Sequence, residues 1–277
     1  MKKLQDRVAL VTGAGRGVGA ELAKKLAAEG AAVVVADLDA TPADSTVEEI
    51  RAQGGSAEAL TGDVTDPDFG ERAIELMLGA FNGVDIIVNN AGYVWNSSIH
   101  KTSDEQWQAM IDCHATAPFR ILRAAAPFIR RAAAEEARAG RVHYRKVVNV
   151  SSVAGIYGGA TQIAYSAGKA AQIGITKTLA KEWGRYRVNV NCVGFGFIDT
   201  RLTQVWEGEE ISTIDVGGRD YRVGFSAAER DELNRMIPLG RSGTPEEAAG
   251  AVYLFCTPES DYITGEVLVA GGGLLSY

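Results

Sequence analysis

A tyrosine and a lysine stand four positions apart in the segment AYSAGKAA, residues 164–171, at the start of a predicted helix. Ketone reduction requires a hydride on carbon and a proton on the developing alkoxide, and oxidation requires the reverse. A phenol with a pKa near 10 is a poor base at neutral pH. Because Lys169 at i+4 shares the helix face of Tyr165, the spacing predicts that the lysine cation lowers the tyrosine pKa and makes Tyr165 an acid or base. An isolated pair of this kind is also common on helix surfaces, so its role depends on the other groups in the chain.

A glycine-rich stretch, VTGAGRGVGA at residues 11–20, is the second candidate site. Its glycines would let the backbone approach a phosphate, and the N–H groups of the following helix would bind that phosphate. Two registers fit the pattern. One uses Gly15, Gly17 and Ala20, and the other uses Gly13, Gly17 and Gly19.

The choice of dinucleotide depends on an acid that follows the second apolar run. Asp37 could accept hydrogen bonds from both ribose hydroxyls of NAD and repel the 2′-phosphate of NADP. Arg16, within the glycine turn, could instead pair with that phosphate. Because the acid would lie at the 2′ position itself, the sequence predicts NAD, with NADP as the less favoured alternative.

Alternating apolar runs and helical stretches must position these groups. Consecutive apolar positions are typical of strands buried on both faces, and strands separated by helices predict right-handed crossovers and a parallel sheet. An eight-stranded α/β barrel is the alternative, but seven strands and a glycine-rich first turn favour a single-domain, doubly wound α/β fold over residues 1–277, with helices on both faces. The predicted strands are 7–12, 31–36, 57–61, 85–89, 146–151, 187–193 and 266–270, and the predicted helices are 18–29, 67–80, 103–133, 164–184 and 245–256.

Residues 200–238 interrupt the alternation. Within them, Gly217 and Gly218 separate two β-prone arms in residues 211–225, which predicts a two-residue hairpin. A long excursion in a compact domain is often a lid, so we expect this segment to cover the carboxyl edge of the sheet. A surface decoration or a subunit contact is the alternative.

Composition excludes several classes of function. The net charge is −7 and the pI is about 5.2, which disfavours nucleic-acid and acidic-membrane partners. The three cysteines show no metal-ligand spacing and indicate a reducing compartment. The chain has no signal-peptide pattern and no run approaching 18 apolar residues, so a cytoplasmic protein with no metal is expected.

Six motifs in order resemble the short-chain dehydrogenase/reductase family over nearly the whole chain. They are TGAGRGVG at 12–19, GDV at 62–64, NNAG at 89–92, VNVSS at 148–152, YSAGK at 165–169 and FIDT at 197–200. The resemblance is greatest to the 3-oxoacyl-[acyl-carrier-protein] reductase branch, and it selects the second glycine register.

The resemblance implies a role for each matched residue. Ser152, Tyr165 and Lys169 match the catalytic serine, tyrosine and lysine, in which the serine holds the substrate oxygen and the lysine also binds the nicotinamide ribose. Asp63 and Val64 are expected at the adenine, Asn90, Ala91 and Gly92 near the nicotinamide ribose, and Thr200 at the carboxamide. The remaining expected cofactor contacts are Gly13, Arg16, Gly17, Val18, Gly19, Asp37, Tyr165, Phe197 and Ile198.

Three positions depart from the family pattern. His114 replaces an asparagine that helps to hold a proton-relay water, and we expect the imidazole to hold that water and to titrate near pH 6–7. A structural histidine is the alternative. Phe195 replaces a proline, so it either faces nicotinamide or substrate or fills core. Gly168 replaces a serine and is expected to weaken the helix slightly without affecting chemistry.

The expected function is NAD(H)-dependent interconversion of a secondary alcohol and a ketone, with a 3-oxoacyl thioester as one candidate substrate. An apolar pocket is expected from Trp95, Tyr157, Phe195, Phe197 and Trp206, although each could equally be core. The alternatives are an NAD-linked hydroxysteroid or other apolar alcohol dehydrogenase and, less favoured because the catalytic residues are retained, a non-catalytic dinucleotide sensor. A homotetramer or homodimer is expected through the long helices 103–133 and 164–184.

Overall fold

A computed structural model describes residues 2–206 and 212–274. Seven strands form one parallel sheet in the order β3-β2-β1-β4-β5-β6-β9, and β7 and β8 form a separate antiparallel hairpin. The predicted doubly wound sheet is confirmed, and the barrel alternative is wrong. The strands are β1 Val8–Thr12, β2 Ala32–Asp37, β3 Ser56–Thr61, β4 Ile86–Asn89, β5 Arg145–Ser152, β6 Val188–Phe195, β7 Thr213–Val216, β8 Arg219–Arg222 and β9 Val267–Ala270.

Nine α-helices lie within the described residues. They are α1 Gly17–Ala28, α2 Ala40–Ala52, α3 Phe69–Phe81, α4 Asp104–Ile111, α5 Ala117–Arg138, α6 Val153–Tyr157, α7 Ile163–Trp183, α8 Ala227–Met236 and α9 Pro245–Leu254. Helices α2, α6 and α8 were not predicted from the sequence. None of the described helices combines the length and the apolar character needed to cross a membrane.

Two apolar cores cover the two faces of the sheet. On one face, α1, α2 and α9 pack against the strands through residues such as Leu26, Ile50 and Val252. On the other face, α3, α5 and α7 pack through residues such as Met77 and Ile129. Because every central strand is buried on both sides, its apolar residues run consecutively along the sequence.

The predicted helix 103–133 is interrupted. It begins as α4 behind a capping box formed by Ser103 and Gln106, passes through one π-helical turn at Asp112–Thr116 and continues as α5. A π-turn inserts one residue into the helical repeat and changes the direction in which the neighbouring side chains point. His114 lies within this turn and is fully buried.

The excursion contains the predicted hairpin. Gly217 and Gly218 have φ values of 62° and 81°, which a two-residue turn of the primed type requires. Ile214 and Tyr221 are cross-strand partners, and both pack with Val223 into a small apolar cluster of their own. Residue 211, the first of the predicted hairpin segment, lies outside the described residues.

Candidate active site

An open cleft of about 860 Å³ lies at the carboxyl edge of the sheet. This is the edge at which doubly wound sheets bind ligands. Eighteen of the residues predicted from the sequence line it together: Gly13, Arg16, Gly17, Val18, Gly19, Asp37, Asp63, Val64, Asn90, Ala91, Gly92, Ser152, Tyr165, Lys169, Phe195, Phe197, Ile198 and Thr200. His114, Trp95, Tyr157 and Trp206 do not line it.

The glycine turn connects β1 to α1, and at Gly13 and Gly19 it has no room for a Cβ. Gly13 and Gly17 have φ values of 63° and 53°, a region that favours glycine. A Cβ at Gly19 would lie 2.1 Å from the Gly13 carbonyl oxygen. The Asn90 side chain holds the turn in place, because its Nδ2 donates to the carbonyl oxygens of Thr12 at 2.8 Å and Gly13 at 3.1 Å. The side-chain amide nitrogen of Asn90 therefore holds the glycine turn, and Asn90 also lines the cleft.

Asp37 is fixed at the end of β2 by two backbone donors. Its Oδ2 accepts from the Gly15 N–H at 2.8 Å and its Oδ1 from the Asp39 N–H at 3.1 Å. Arg16 pairs with Asp39 instead, with 2.6 Å between Nη1 and Oδ2. The closely packed glycine turn, the helix N-terminus and a carboxylate fixed beside them fit the pyrophosphate and ribose of a dinucleotide.

Ser152, Tyr165 and Lys169 lie at one wall of the cleft. Ser152 ends β5, caps α6 by accepting from the Ala154 N–H at 3.2 Å and lies close enough to the Tyr165 hydroxyl to lower its pKa. The Lys169 Nζ donates to the Val150 carbonyl oxygen at 2.8 Å and lies 5.8 Å from the centre of the Tyr165 ring. The cleft wall therefore carries a phenol, a serine hydroxyl and a nearby ammonium group.

The predicted lowering of the Tyr165 pKa is wrong for the protein alone. Burial raises the pKa of Tyr165 to about 12, and the nearby Ser152 hydroxyl only partly opposes this effect. Burial also lowers the pKa of Lys169 to about 8. The physical reason is that desolvation disfavours both charged forms, while Val150 holds the ammonium group below the phenol ring. At neutral pH Tyr165 is a phenol, the form that donates a proton to an alkoxide.

His114 is fully buried and does not line the cleft. Its Nε2 is 2.8 Å from the Tyr93 carbonyl oxygen, which can only accept, so Nε2 carries the proton and Nδ1 is a lone-pair acceptor. Within the described chain this Nδ1 is buried without a hydrogen-bond partner. A Cβ at Gly92 would lie 3.0 Å from Nδ1 and 3.5 Å from the Lys169 Nζ, so the acceptor faces the space between Gly92 and Lys169.

The predicted titration of His114 near pH 6–7 is also wrong. Burial, reinforced by the Lys169 cation, holds the imidazole pKa well below its ordinary value of 6.5. The ring is edge-on to Tyr165, with 5.2 Å between the two ring centres. His114 is therefore a neutral hydrogen-bonding group next to Tyr165.

Three of the predicted pocket aromatics lie elsewhere. Trp95 packs edge-on against Tyr221, with 4.9 Å between ring centres, and Trp206 donates from Nε1 to the Val223 carbonyl oxygen at 2.7 Å. Tyr157 is 45% exposed at the end of α6. The first two support the hairpin instead of facing the cleft, and the third faces solvent.

Other aromatic residues, which the sequence did not single out, take their place in the cleft wall: Tyr93, Tyr221 and Phe225. Tyr93 and Tyr221 contact each other, with 4.8 Å between ring centres. Tyr93 directly follows the NNAG motif, which is the one signal that could have identified it. The other two come from the excursion, whose fold over the cleft no local pattern specifies.

The chain is similar to known oxidoreductases over its full length. The family model described as short chain dehydrogenase matches residues 7–210. A 3-oxoacyl-[acyl-carrier-protein] reductase of Synechocystis sp. is 37% identical over 279 residues, with 100% of both chains covered. The short-chain reductase protein NovJ of Streptomyces niveus is 34% identical, with 97% of this chain and 94% of NovJ covered.

A solved structure agrees with the fold. The crystal structure of a protein assigned as a 2-deoxy-d-gluconate 3-dehydrogenase from Agrobacterium tumefaciens, with bound NADP, superimposes with a TM-score of 0.78. It is 32% identical, and the match covers 99% of this chain and 98% of the other. The structural match and the sequence identity therefore indicate the same fold for both proteins.

Proposed function

The chain belongs to the short-chain dehydrogenase family, and from this premise we propose that it interconverts a secondary alcohol and a ketone, with Tyr165 as the acid and base. The family consists of oxidoreductases that use a nicotinamide dinucleotide. The observation that carries the proposal is the convergence of Ser152, Tyr165 and Lys169 on one wall of the cleft. The retained catalytic residues argue against a non-catalytic sensor.

The chain's own residues account for the proton. The nicotinamide, when bound, supplies or accepts the hydride at the substrate carbon. In reduction, the neutral Tyr165 phenol donates its proton to the substrate oxygen, and the Ser152 hydroxyl holds that oxygen by a hydrogen bond. The buried Lys169 cation stabilises the phenolate that remains. In oxidation the same groups act in the opposite direction.

His114 is proposed to hold the water that returns the proton. Its Nδ1 is a buried acceptor without a partner among the described residues and faces the space beside Lys169. A water there could donate to Nδ1 and accept from the Lys169 ammonium group, which would connect the lysine to further solvent. The neutral state of the ring suits this role, because a protonated imidazole has no acceptor.

We propose NAD(H) as the preferred dinucleotide because of Asp37. The similar Agrobacterium protein binds NADP, so a preference for NAD must come from this chain's own residues. Two backbone N–H groups hold the Asp37 carboxylate at the end of β2, where the adenosine ribose is expected to bind. Arg16, the cation that could bind a 2′-phosphate, is paired with Asp39. A fixed carboxylate repels the phosphate and accepts from the ribose hydroxyls.

The experiment compares NADH and NADPH oxidation by wild type and by the Asp37→Ser variant. We expect wild type to show at least about a tenfold higher kcat/KM with NADH, equivalent to about 1.4 kcal/mol, and the variant to lose this preference. Equal wild-type rates with the two dinucleotides would refute the Asp37 argument. Tyr165→Phe is the control for background oxidation.

A 3-oxoacyl thioester is the proposed substrate class. Several relatives carry the name 3-oxoacyl-[acyl-carrier-protein] reductase, and the cleft wall at Tyr93, Tyr221 and Phe225 suits an apolar chain. The test panel contains acetoacetyl thioesters, β-diketones and steroid ketones. Thioester turnover well above the others supports the proposal. Selective steroid turnover favours the hydroxysteroid dehydrogenase alternative, and no carbonyl turnover at all favours the sensor.

We also propose that the protein assembles as a homotetramer or homodimer through α4, α5 and α7. Trp107 on α4 and Phe119 on α5 are 42% and 50% exposed. Exposed apolar side chains on these helices are consistent with burial against a second subunit. Light scattering coupled to size-exclusion chromatography measures the mass directly. A monomer at micromolar concentration would contradict this assembly.

A further inference from the structure

One arginine of the excursion, Arg230 on α8, contacts three other segments of the chain. Its guanidinium donates from Nη1 to the Thr203 carbonyl oxygen at 2.9 Å and from Nη2 to the Ser242 hydroxyl at 2.8 Å. It also forms an ion pair with one carboxylate oxygen of Asp199, and the Ser242 hydroxyl donates to the other oxygen at 2.8 Å. Asp199 directly precedes the excursion and Ser242 follows it, so Arg230 connects α8 to both ends of the excursion.

The FIDT motif, residues 197–200, is the part of the cleft wall next to Arg230. Its backbone is paired with the chain beyond the excursion. The Asp199 N–H donates to the Gly243 carbonyl oxygen at 2.8 Å, and the Gly243 N–H donates to the Phe197 carbonyl oxygen at 2.9 Å. The Arg230 guanidinium lies 5.0 Å from the centre of the Phe197 ring, within the range of a cation–π contact. Three of the four FIDT residues line the cleft and Arg230 does not, so Arg230 supports this wall without reaching the cleft itself.

These contacts affect orientation more than stability. The Asp199 side chain is 45% exposed, and solvent screens an ion pair of that kind, so the pair alone contributes little to stability. A guanidinium, however, holds its donors in one rigid plane. Because the donors of Arg230 bind three segments at once and its side chain is only 15% exposed, the guanidinium fixes the position of α8 relative to the FIDT motif.

We propose that Arg230 is a positioning residue for the nicotinamide end of the dinucleotide. It holds α8 against the FIDT motif and thereby fixes the backbone that faces the cleft at Phe197 and Thr200. The inference rests on the proposed use of a nicotinamide dinucleotide, whose carboxamide is expected at Thr200. The adenosine is expected at Asp37 and Asp63, and neither is among the contacts of Arg230 in the described chain. Loss of Arg230 should therefore weaken binding of the nicotinamide and spare the adenosine.

Calorimetric titration of the full chain with NADH and with ADP-ribose tests the proposal, because ADP-ribose retains the adenosine and the pyrophosphate but lacks the nicotinamide. We expect Arg230→Gln to raise Kd for NADH about tenfold and to change Kd for ADP-ribose by less than about twofold. Arg230→Lys should lie between wild type and the Gln variant, since an ammonium group keeps the charge but not the planar set of donors. Asp199→Asn should reproduce the Gln variant, and the two changes together should not be additive.

Arg235→Gln is the matched control, because Arg235 is an exposed arginine of the same helix and donates within it, from Nε to the Asp231 carbonyl oxygen at 3.2 Å. It should leave both Kd values unchanged. Should Arg230→Gln fail to fold, the comparison of the two ligands in Asp199→Asn decides the proposal.

Equal weakening of NADH and ADP-ribose in the Arg230 and Asp199 variants would overturn the inference in favour of a general structural role. Unchanged affinities for both ligands would also overturn it, and would leave the proposed function intact. Failure of wild type to bind NADH would refute the proposed cofactor use, and this inference with it.

Discussion

Replacement of His114 by asparagine separates two properties of the buried neutral imidazole: its effect on the pH dependence of stability and its ability to hold a water. His114 is fully buried, its Nε2 donates to the Tyr93 carbonyl oxygen, and its Nδ1 faces the space beside Lys169. Asparagine retains one donor and one acceptor in a smaller side chain and does not titrate. It should therefore remove the proton linkage of the imidazole while it retains a group able to hold a water.

The size of the linkage follows from the lowered pKa. The imidazole pKa is well below 6.5 in the folded protein and ordinary in the unfolded chain. Below pH 6.5 the unfolded chain takes up a proton that the folded protein does not, so the free energy of unfolding falls as pH is lowered; above about pH 7.5 both states are neutral and the effect is absent. Between pH 7.5 and 5.5 a group that stays neutral when folded removes about 1.4 kcal/mol of stability.

Urea unfolding at pH 7.5 and 5.5 measures this difference. Wild type should lose about 1.4 kcal/mol more than His114→Asn over this interval, whatever the constant effect of the smaller side chain. The other titrating groups are common to both proteins and cancel in the comparison. Parallel pH dependences would show that His114 does not stay neutral in the folded state, and the argument from burial would fail.

Turnover provides the second readout. His114→Leu removes the acceptor that we propose for the relay water, which should lower kcat about 10- to 100-fold, the range expected for a lost buried hydrogen bond, whereas His114→Asn should stay within a few-fold of wild type. Because the imidazole is neutral, the wild-type kcat should show no limb near pH 6–7 caused by this residue. Wild-type turnover of His114→Leu at every pH would refute the relay.

Three further changes have expected outcomes. Tyr165→Phe should lower ketone reduction at least about 100-fold with an unchanged Kd for the dinucleotide; retained turnover in steady-state assays would refute the proton role. Gly168→Ser should cost about 1–3 kcal/mol in urea unfolding, because a Cβ there would lie 2.9 Å from the His114 Cβ. Glu136→Gln should cost about 3 kcal/mol, since it weakens a partly buried paired contact with the buried Arg145 at 2.6 and 3.0 Å. A change below about 0.5 kcal/mol in the same assay would contradict this value.

The sheet could be predicted from the sequence because its central strands are buried on both faces. Each such strand is a short run of consecutive apolar residues, so the predicted strand 7–12 differs from β1, Val8–Thr12, by one residue. Helix α2 was not predicted, because only four of its thirteen residues are buried and its apolar stripe is correspondingly weak. The π-turn at Asp112–Thr116 shifts the helical repeat by a single residue, which a hydrophobic pattern cannot distinguish from a continuous helix.

The cleft-lining residues could be predicted where a motif lies at a strand end, and not where the excursion folds back over the cleft. Asp37 and Ser152 end β2 and β5, so the parallel sheet necessarily brings them to one edge. Trp95 and Trp206 were expected in the pocket, but both contact the hairpin, because the small cluster around Tyr221 needs its own apolar cover. Local sequence carries no information about which aromatic faces which cavity.

The two departures from the family pattern in the helices are spatial neighbours. From the sequence, Gly168 predicted only a slight loss of helix stability, separate from His114. In the fold, a Cβ at Gly168 would lie 2.9 Å from the His114 Cβ and 2.8 Å from the Met110 carbonyl oxygen. The glycine therefore gives α7 the clearance to pack against the turn that carries the imidazole. Because the two positions are in contact, the effects of substitutions at Gly168 and His114 on stability should not be additive.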